Sequence, residues 1–447
     1  MINFNKERSV AVVYTCGICN LNCRYCTIDK NPALLEIDKE LEKSFQDDYY
    51  FNRIKEYFPR RDQLLSLETW GGEPFLRMDR VYPLVHKLIE YYPYFYRMYS
   101  STNFSFDGWL EQFTGLMDCF AAYPYRQFEY QLQLSVDGPE YINDMNRGAG
   151  ITKKCIENFD KLVKFIQEGK FPSNVKLIMT IKGTWDIGTL YKLNSKEKLI
   201  EFFQFYEDAY INKLLDLNLE NIDAVCTIPN MAMPSPVTQQ DGIVFANIVR
   251  LCREIEKENA TKHYFKHYTI ITPFYGPPCF TCKRFTGDIS CCGSGKQMVG
   301  FLPHNMVSAC HEGFTLLADN YKKYAAKRST ENVTVSLNKF FELQETPMCL
   351  TDDQYREHER RLAYINPSSS AQMANSTVLV IALAMAGLIE PRYLDEEQAL
   401  AAAKYVLCNT SFCIKVNYAI TGSFCTEPTS PYILLLNGAL QYLTAGG

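Results

Sequence analysis

The chain has 447 residues, a net charge of −5, 47% hydrophobic and 14% aromatic residues, and seventeen cysteines. Its length exceeds the ~100–200 residues of one domain, so two are expected, and its charge gives no global basic field to draw in nucleic acid. The start, Met1-Ile2-Asn3-Phe4-Asn5-Lys6-Glu7-Arg8, lacks a signal peptide's apolar core, so a secreted disulfide framework is disfavoured against reduced, metal-loaded thiols in the cytoplasm.

Strands are predicted at 9–15, 64–70, 97–103, 129–137, 175–182 and 224–228, each rich in Val, Ile, Leu or Tyr. Helix-like stretches lie between them at 37–57, 78–92, 107–120, 152–167 and 194–209. Repeated strand-then-helix order predicts parallel strands joined by right-handed crossovers. A Pro- and Met-containing stretch at 229–236 reads as a linker, followed by a helix at 241–258. From Pro273 the periodicity changes and cysteines return. The apolar run 377–389 ends at Glu390 and Pro391. It is well short of the ~20 residues needed to span a bilayer, so it reads as a buried helix. Asp395 with Gln398 forms a capping-box pattern that opens an Ala-rich helix running to about Leu407.

Chemistry is concentrated in a few runs. Cys19-Asn20-Leu21-Asn22-Cys23-Arg24-Tyr25-Cys26 places three thiols at C-x3-C-x2-C spacing. Three thiolates on one short loop can hold three irons of a cubane cluster and leave the fourth iron open. Cys16/Cys19 and Cys23/Cys26 are also two C-x2-C pairs, so this run alone is compatible with a compact zinc knot. Cys16, at the end of an apolar strand, reads as a buried structural thiol. Gly71-Gly72-Glu73-Pro74 closes the second strand, where two glycines let backbone come close to a ligand. Ser100-Ser101-Thr102-Asn103 ends the third, with Asn103 either a polar contact or a turn cap. Ser135-Val136-Asp137-Gly138-Pro139 ends the fourth, and Arg147 comes soon after; Asp137 and Arg147 are also candidates for an ion pair that ties a loop.

Taken together, these runs resemble the radical S-adenosylmethionine (SAM) enzymes over residues 9–235, in the branch that modifies peptides and proteins. Cys292-Gly293-Ser294-Gly295 and the stretch from Phe301 to Cys310 resemble the opening of that branch's SPASM domain. The resemblance implies an α/β fold: a partial (β/α)6 TIM-like barrel over 1–235, a linker and bridging helix over 236–272, and a smaller α+β SPASM-like domain with a helical insertion over 273–447. It implies a [4Fe–4S] cluster on Cys19, Cys23 and Cys26, whose open iron binds the amino and carboxylate groups of SAM. Gly71, Gly72 and Glu73 would meet the SAM amino group through their backbone. Asn103, Ser135 and Arg147 would add further SAM contacts. Phe104 stands where the family pattern has glycine.

One or two auxiliary [4Fe–4S] clusters are implied, with Cys279, Cys282, Cys292, Cys310, Cys349, Cys408, Cys413 and Cys425 as candidate ligands and Cys291 beside them; zinc on Cys279/Cys282 is the alternative. His311 stands where sulfatase-maturing relatives carry an acidic base, and histidine can take a proton near neutral pH. The implied activity is reductive cleavage of SAM to a 5′-deoxyadenosyl radical and hydrogen abstraction from a peptide. The expected substrate is a ribosomally made peptide that is crosslinked, epimerised or oxidised; the alternative is protein maturation of the sulfatase type. A non-catalytic iron–sulfur electron carrier or zinc scaffold is the competing class, and it has no use for a SAM site. Implied partners are the peptide or protein substrate, a flavodoxin or ferredoxin donor and a separate leader-peptide-binding protein, without nucleic acid or membrane.

Overall fold

The structure, a computed structural model, describes residues 8–26, 33–226, 230–231, 239–267, 298–303 and 307–308. The strands are β1 (Arg8–Cys16), β2 (Leu64–Gly71), β3 (Phe95–Thr102), β4 (Phe128–Ser135), β5 (Val175–Lys182), β6 (Thr184–Trp185), β7 (Ile222–Cys226), β8 (Asn230–Met231), β9 (Met298–Phe301) and β10 (Val307–Ser308). The helices are α1 (Ala33–Gln46), α2 (Tyr49–Tyr57), α3 (Tyr82–Tyr91), α4 (Trp109–Ala121), α5 (Glu140–Arg147), α6 (Ile151–Gln167), α7 (Ile187–Lys192), α8 (Lys196–Tyr206), α9 (Asn212–Leu215) and α10 (Gln239–Lys262).

Eight strands form one sheet in the order β10-β9-β1-β2-β3-β4-β5-β7, with β6 and β8 as a separate pair. Seven of the eight, β9 through β7, run parallel; β10 alone is antiparallel, to β9. The six predicted strands are all present, in chain order from β1 to β7. They form because parallel strands covered by helices can bury apolar runs on both faces. The helical cover is amphipathic: in α6, Ile151, Cys155, Phe159, Leu162 and Ile166 recur at helical spacing and are buried.

The two faces of the sheet differ. Leu67, Met98, Leu132, Leu134, Leu177 and Met179 are fully buried. On the other face Glu68, Trp70, Tyr99, Ser101, Gln131 and Ser135 are only half-buried. Glu68, Tyr99, Gln131 and Ile178 share one register row. Trp70 stacks on Tyr99 at 5.6 Å.

Two local expectations change. The predicted 37–57 helix is two helices, α1 and α2, because Asp48 adopts a left-handed φ of 57° and breaks the ladder. The predicted 78–92 helix opens instead as a 3-10 turn, Pro74–Val81, whose missing proline N–H leaves one fewer donor to satisfy. β9 pairs with β1 from Val10↔Met298 to Val13↔Phe301. Phe301 lies against Tyr57 and Phe58, and Tyr49 donates to the Leu302 carbonyl at 2.7 Å.

Among the described residues no helix is long and apolar enough to cross a membrane. The segments 377–389 and 395–407, where helices are expected, lie outside the described residues, as do His311, Cys279, Cys282, Cys291, Cys292, Cys310, Cys349, Cys408, Cys413 and Cys425.

Candidate functional site

Parallel strands send all their C-terminal ends to one edge of the sheet, where chemistry gathers in such folds. The cysteine loop leaves β1 at that edge. It meets the ends of β2, β3 and β4 and the turn after β5, each through named bonds. Cys19, Cys23 and Cys26 lie on the loop as thiols outside any disulfide, exposed or half-buried, whereas Cys16 is buried. Cys16 Sγ donates to the Glu73 carbonyl at 3.0 Å, and burial pushes its thiol up to about 12, as a structural thiol should behave. Burial also raises the Cys23 thiol, with Arg147 pulling the other way.

The end of β2 is fastened directly to this loop. Gly72 N–H donates to the Cys16 carbonyl at 3.1 Å and Glu73 N–H to the Ile18 carbonyl at 2.8 Å. Contact is so close that a Cβ on Gly72 would sit 2.1 Å from the Ile18 oxygen, and one on Gly71, at φ 140°, 2.3 Å from the Cys16 oxygen. Only glycine fits. These two amides are therefore spent on the loop, and the backbone groups with which this turn could meet an ammonium are its carbonyls. The Glu73 side chain is spent too. It is buried and accepts from Thr102 Oγ1 at 2.7 Å, Asn103 N at 2.6 Å and Phe75 N at 3.1 Å. Burial pushes its carboxyl up to about 7 despite those donors. Glu73 thus staples β2 to β3.

Asn103 follows β3 and faces the first half of the loop, 3.6 Å from Cys19 Sγ and 2.8 Å from Asn20 Oδ1. Phe104 takes a left-handed φ of 59°, the backbone a glycine would adopt there. Its ring is buried and packs on Trp109 at a centroid distance of 4.1 Å. Burying a Phe gains ~1.5–3 kcal/mol, which offsets the ~1–2 kcal/mol of left-handed strain.

The second half of the loop docks on the end of β4 and on the segments between β4 and α7. Asp137 is fully buried and accepts from Tyr25 OH at 2.5 Å, Arg147 Nη2 at 2.8 Å and Thr184 N at 2.8 Å. Asp137 and Arg147 form an ion pair, and the Arg147 guanidinium also lies 5.7 Å from the centre of the Tyr25 ring. Arg24 pairs with Asp186, the N-cap of α7, and its N–H donates to the Asn146 carbonyl at 2.9 Å. Ser135 stays half-buried at the end of β4, its hydroxyl 3.4 Å from that of Ser101. Tyr25, Arg24, Asp186 and Asn20 were not singled out as site residues from sequence. Asn20 and Tyr25 carry a signal as neighbours of the cysteines that belong to the resemblance, and Arg24 only as a polar residue inside that run.

Among the described residues no three His, Cys, Asp or Glu side chains converge on one metal ion. Cys19, Cys23 and Cys26 put three thiols on one loop, and a cubane with one open iron would take each on a separate iron. No protein-family model and no curated protein matches the chain. Similar solved structures include SuiB from Streptococcus suis, at 15% identity and TM-score 0.39, covering 82% of this chain and 68% of that one. Others are anSMEcpe with bound AdoMet and anSMEcpe with bound AdoMet and the Kp18Cys peptide, each at 12% identity, TM-score 0.44, and 97% and 96% coverage. Likeness this slight carries no inference about this chain.

Proposed function

We propose that the chain is a radical SAM enzyme acting on a peptide or protein. The observation that carries this reading is the bonding of the Gly71-Gly72-Glu73 turn to the Cys19/Cys23/Cys26 loop at the C-terminal edge of a parallel sheet. Cys19, Cys23 and Cys26 would hold a [4Fe–4S] cluster. The cluster with SAM would supply one-electron cleavage of SAM to methionine and a 5′-deoxyadenosyl radical. The chain's own residues hold and orient. The Gly71 and Gly72 carbonyls can accept from an ammonium, and the Ser135 hydroxyl can both donate and accept. Arg147 pairs with Asp137 through Nη2 and braces the loop. The half-buried polar face with its Trp70–Tyr99 stack offers the substrate amide partners and a ring surface.

A ribosomally made peptide is the substrate this reading favours, with a flavodoxin or ferredoxin as donor, a separate leader-binding protein, auxiliary [4Fe–4S] clusters in the 273–447 segment, and a cytoplasmic setting. Anaerobic incubation with SAM and dithionite tests the chemistry: 5′-deoxyadenosine should form with the wild type and not with the Cys19/Cys23/Cys26 triple-Ala variant. Equal yields from both would sink the assignment. Mass spectrometry of candidate precursor and sulfatase peptides then separates the two substrate classes.

A further inference from the structure

We propose that Asn103 tunes the reduction potential of the cluster, rather than gripping SAM, by donating a carboxamide N–H to the sulfur of Cys19. This rests on the reading of Cys19 as a cluster ligand. The carboxamide's orientation is set by its partners. The Ser105 backbone N–H can only donate, and it lies 3.1 Å from Asn103 Oδ1; the Ser105 hydroxyl donates to the same oxygen at 2.7 Å. The NH2 group therefore faces the other way, where Asn20 Oδ1 lies at 2.8 Å and Cys19 Sγ at 3.6 Å. Asn20 donates in turn to Ser105 Oγ at 2.9 Å, which closes a ring of three side chains.

Both carboxamide protons and both Oδ1 lone pairs of Asn103 are thus engaged. Its backbone N–H is held by Glu73 and its carbonyl accepts from Cys155 Sγ at 3.3 Å. Contacting SAM would require breaking this ring. Cys19 Sγ also accepts from Leu21 N at 3.4 Å, so two N–H donors converge on one sulfur. Donors to a ligating sulfur withdraw negative charge, and the reduced cluster, carrying one more electron, gains more than the oxidised one. The donor therefore raises the potential and eases electron entry from an external reductant.

The test is a redox titration of the reconstituted protein, read by the EPR signal of the reduced cluster, beside a SAM-binding isotherm. Asn103→Ala removes the donor, and Asn103→Asp removes it while keeping an acceptor for Ser105. At the potential where half the wild-type cluster is reduced, both variants should show a reduced-to-oxidised ratio lower by about 3- to 10-fold, where tenfold is 59 mV for one electron. SAM affinity should be unchanged. An unchanged ratio overturns the proposal, and an unchanged ratio with lost SAM affinity returns Asn103 to SAM binding. Should the variants fail to load iron, wild-type protein carrying nitrogen-15 in its asparagine side chains decides by pulsed EPR: a coupled amide nitrogen is expected, and no coupling overturns the proposal. Wild-type protein that takes up no cubane cluster would overturn the reading of Cys19 itself, before any variant is made.

Discussion

Phe104 shows how a single residue can satisfy a backbone demand that its type disfavours. Its left-handed turn is retained because the buried ring packs edge-on against Trp109 and Phe159. Phe104→Ala loses the ring and keeps the strain, so it should cost about 3–5 kcal/mol. Phe104→Gly loses the ring and relieves the strain, so it should cost about 1 kcal/mol less. Urea unfolding of the two variants checks the order; a glycine variant less stable than the alanine one contradicts it. Glu73 gives a pH signature. Its carboxyl is pushed from the usual 4.5 to about 7 in the folded chain. A raised carboxyl contributes stability below its unfolded value that is lost as pH rises through its folded one. The cluster-free protein should therefore lose roughly 3 kcal/mol between about pH 4.5 and 7 from this group, at 1.36 kcal/mol per unit. Glu73→Gln should flatten that slope in a series of urea midpoints; an unchanged slope contradicts the assignment.

At the scale of elements, the site is a set of strand ends stitched to one loop. Gly72 marks the tightest stitch. Gly72→Ala should push the Ile18 carbonyl away and displace the cysteine loop, lowering iron uptake severalfold while far-ultraviolet circular dichroism stays that of the wild type. Full iron uptake in that variant would show that the close approach is dispensable. Asp137 joins the loop to α5 and β6. Asp137→Ala strands the Arg147 charge in the interior, which should cost about 3–5 kcal/mol, as chemical denaturation would read. Strands and cysteine spacing were legible in the sequence because both are local: β5, Val175–Lys182, is an apolar run with the boundaries its composition predicts. Asp48's turn and helix α5 were not, since the first is a single-residue backbone reversal and the second is only eight residues long. The duties of Asn103 and Arg147 were half-legible. Their places after strands could be read, but their partners lie 84 and 10 residues away in the chain and depend on the assembled sheet.

For the whole molecule, β9 matters most. Met298–Phe301 is only four residues long, too short to declare a partner, yet it extends the sheet from the β1 side and shares the core with α2. Phe301→Ala should cost about 3–5 kcal/mol and shift the unfolding of the β1–β7 region as a unit. A variant whose core transition is unmoved would mean that β9 is a loose addition.

The open iron is the feature that separates a radical SAM enzyme from an electron carrier, and it can be observed directly. The measurement is the EPR spectrum of the anaerobically reconstituted, dithionite-reduced wild type with and without SAM, set beside the Cys19/Cys23/Cys26 triple-Ala variant. A cubane signal that changes when SAM is added, and is missing from the variant, is the predicted result. A spectrum indifferent to SAM, or a SAM-responsive signal that survives loss of all three cysteines, would contradict it.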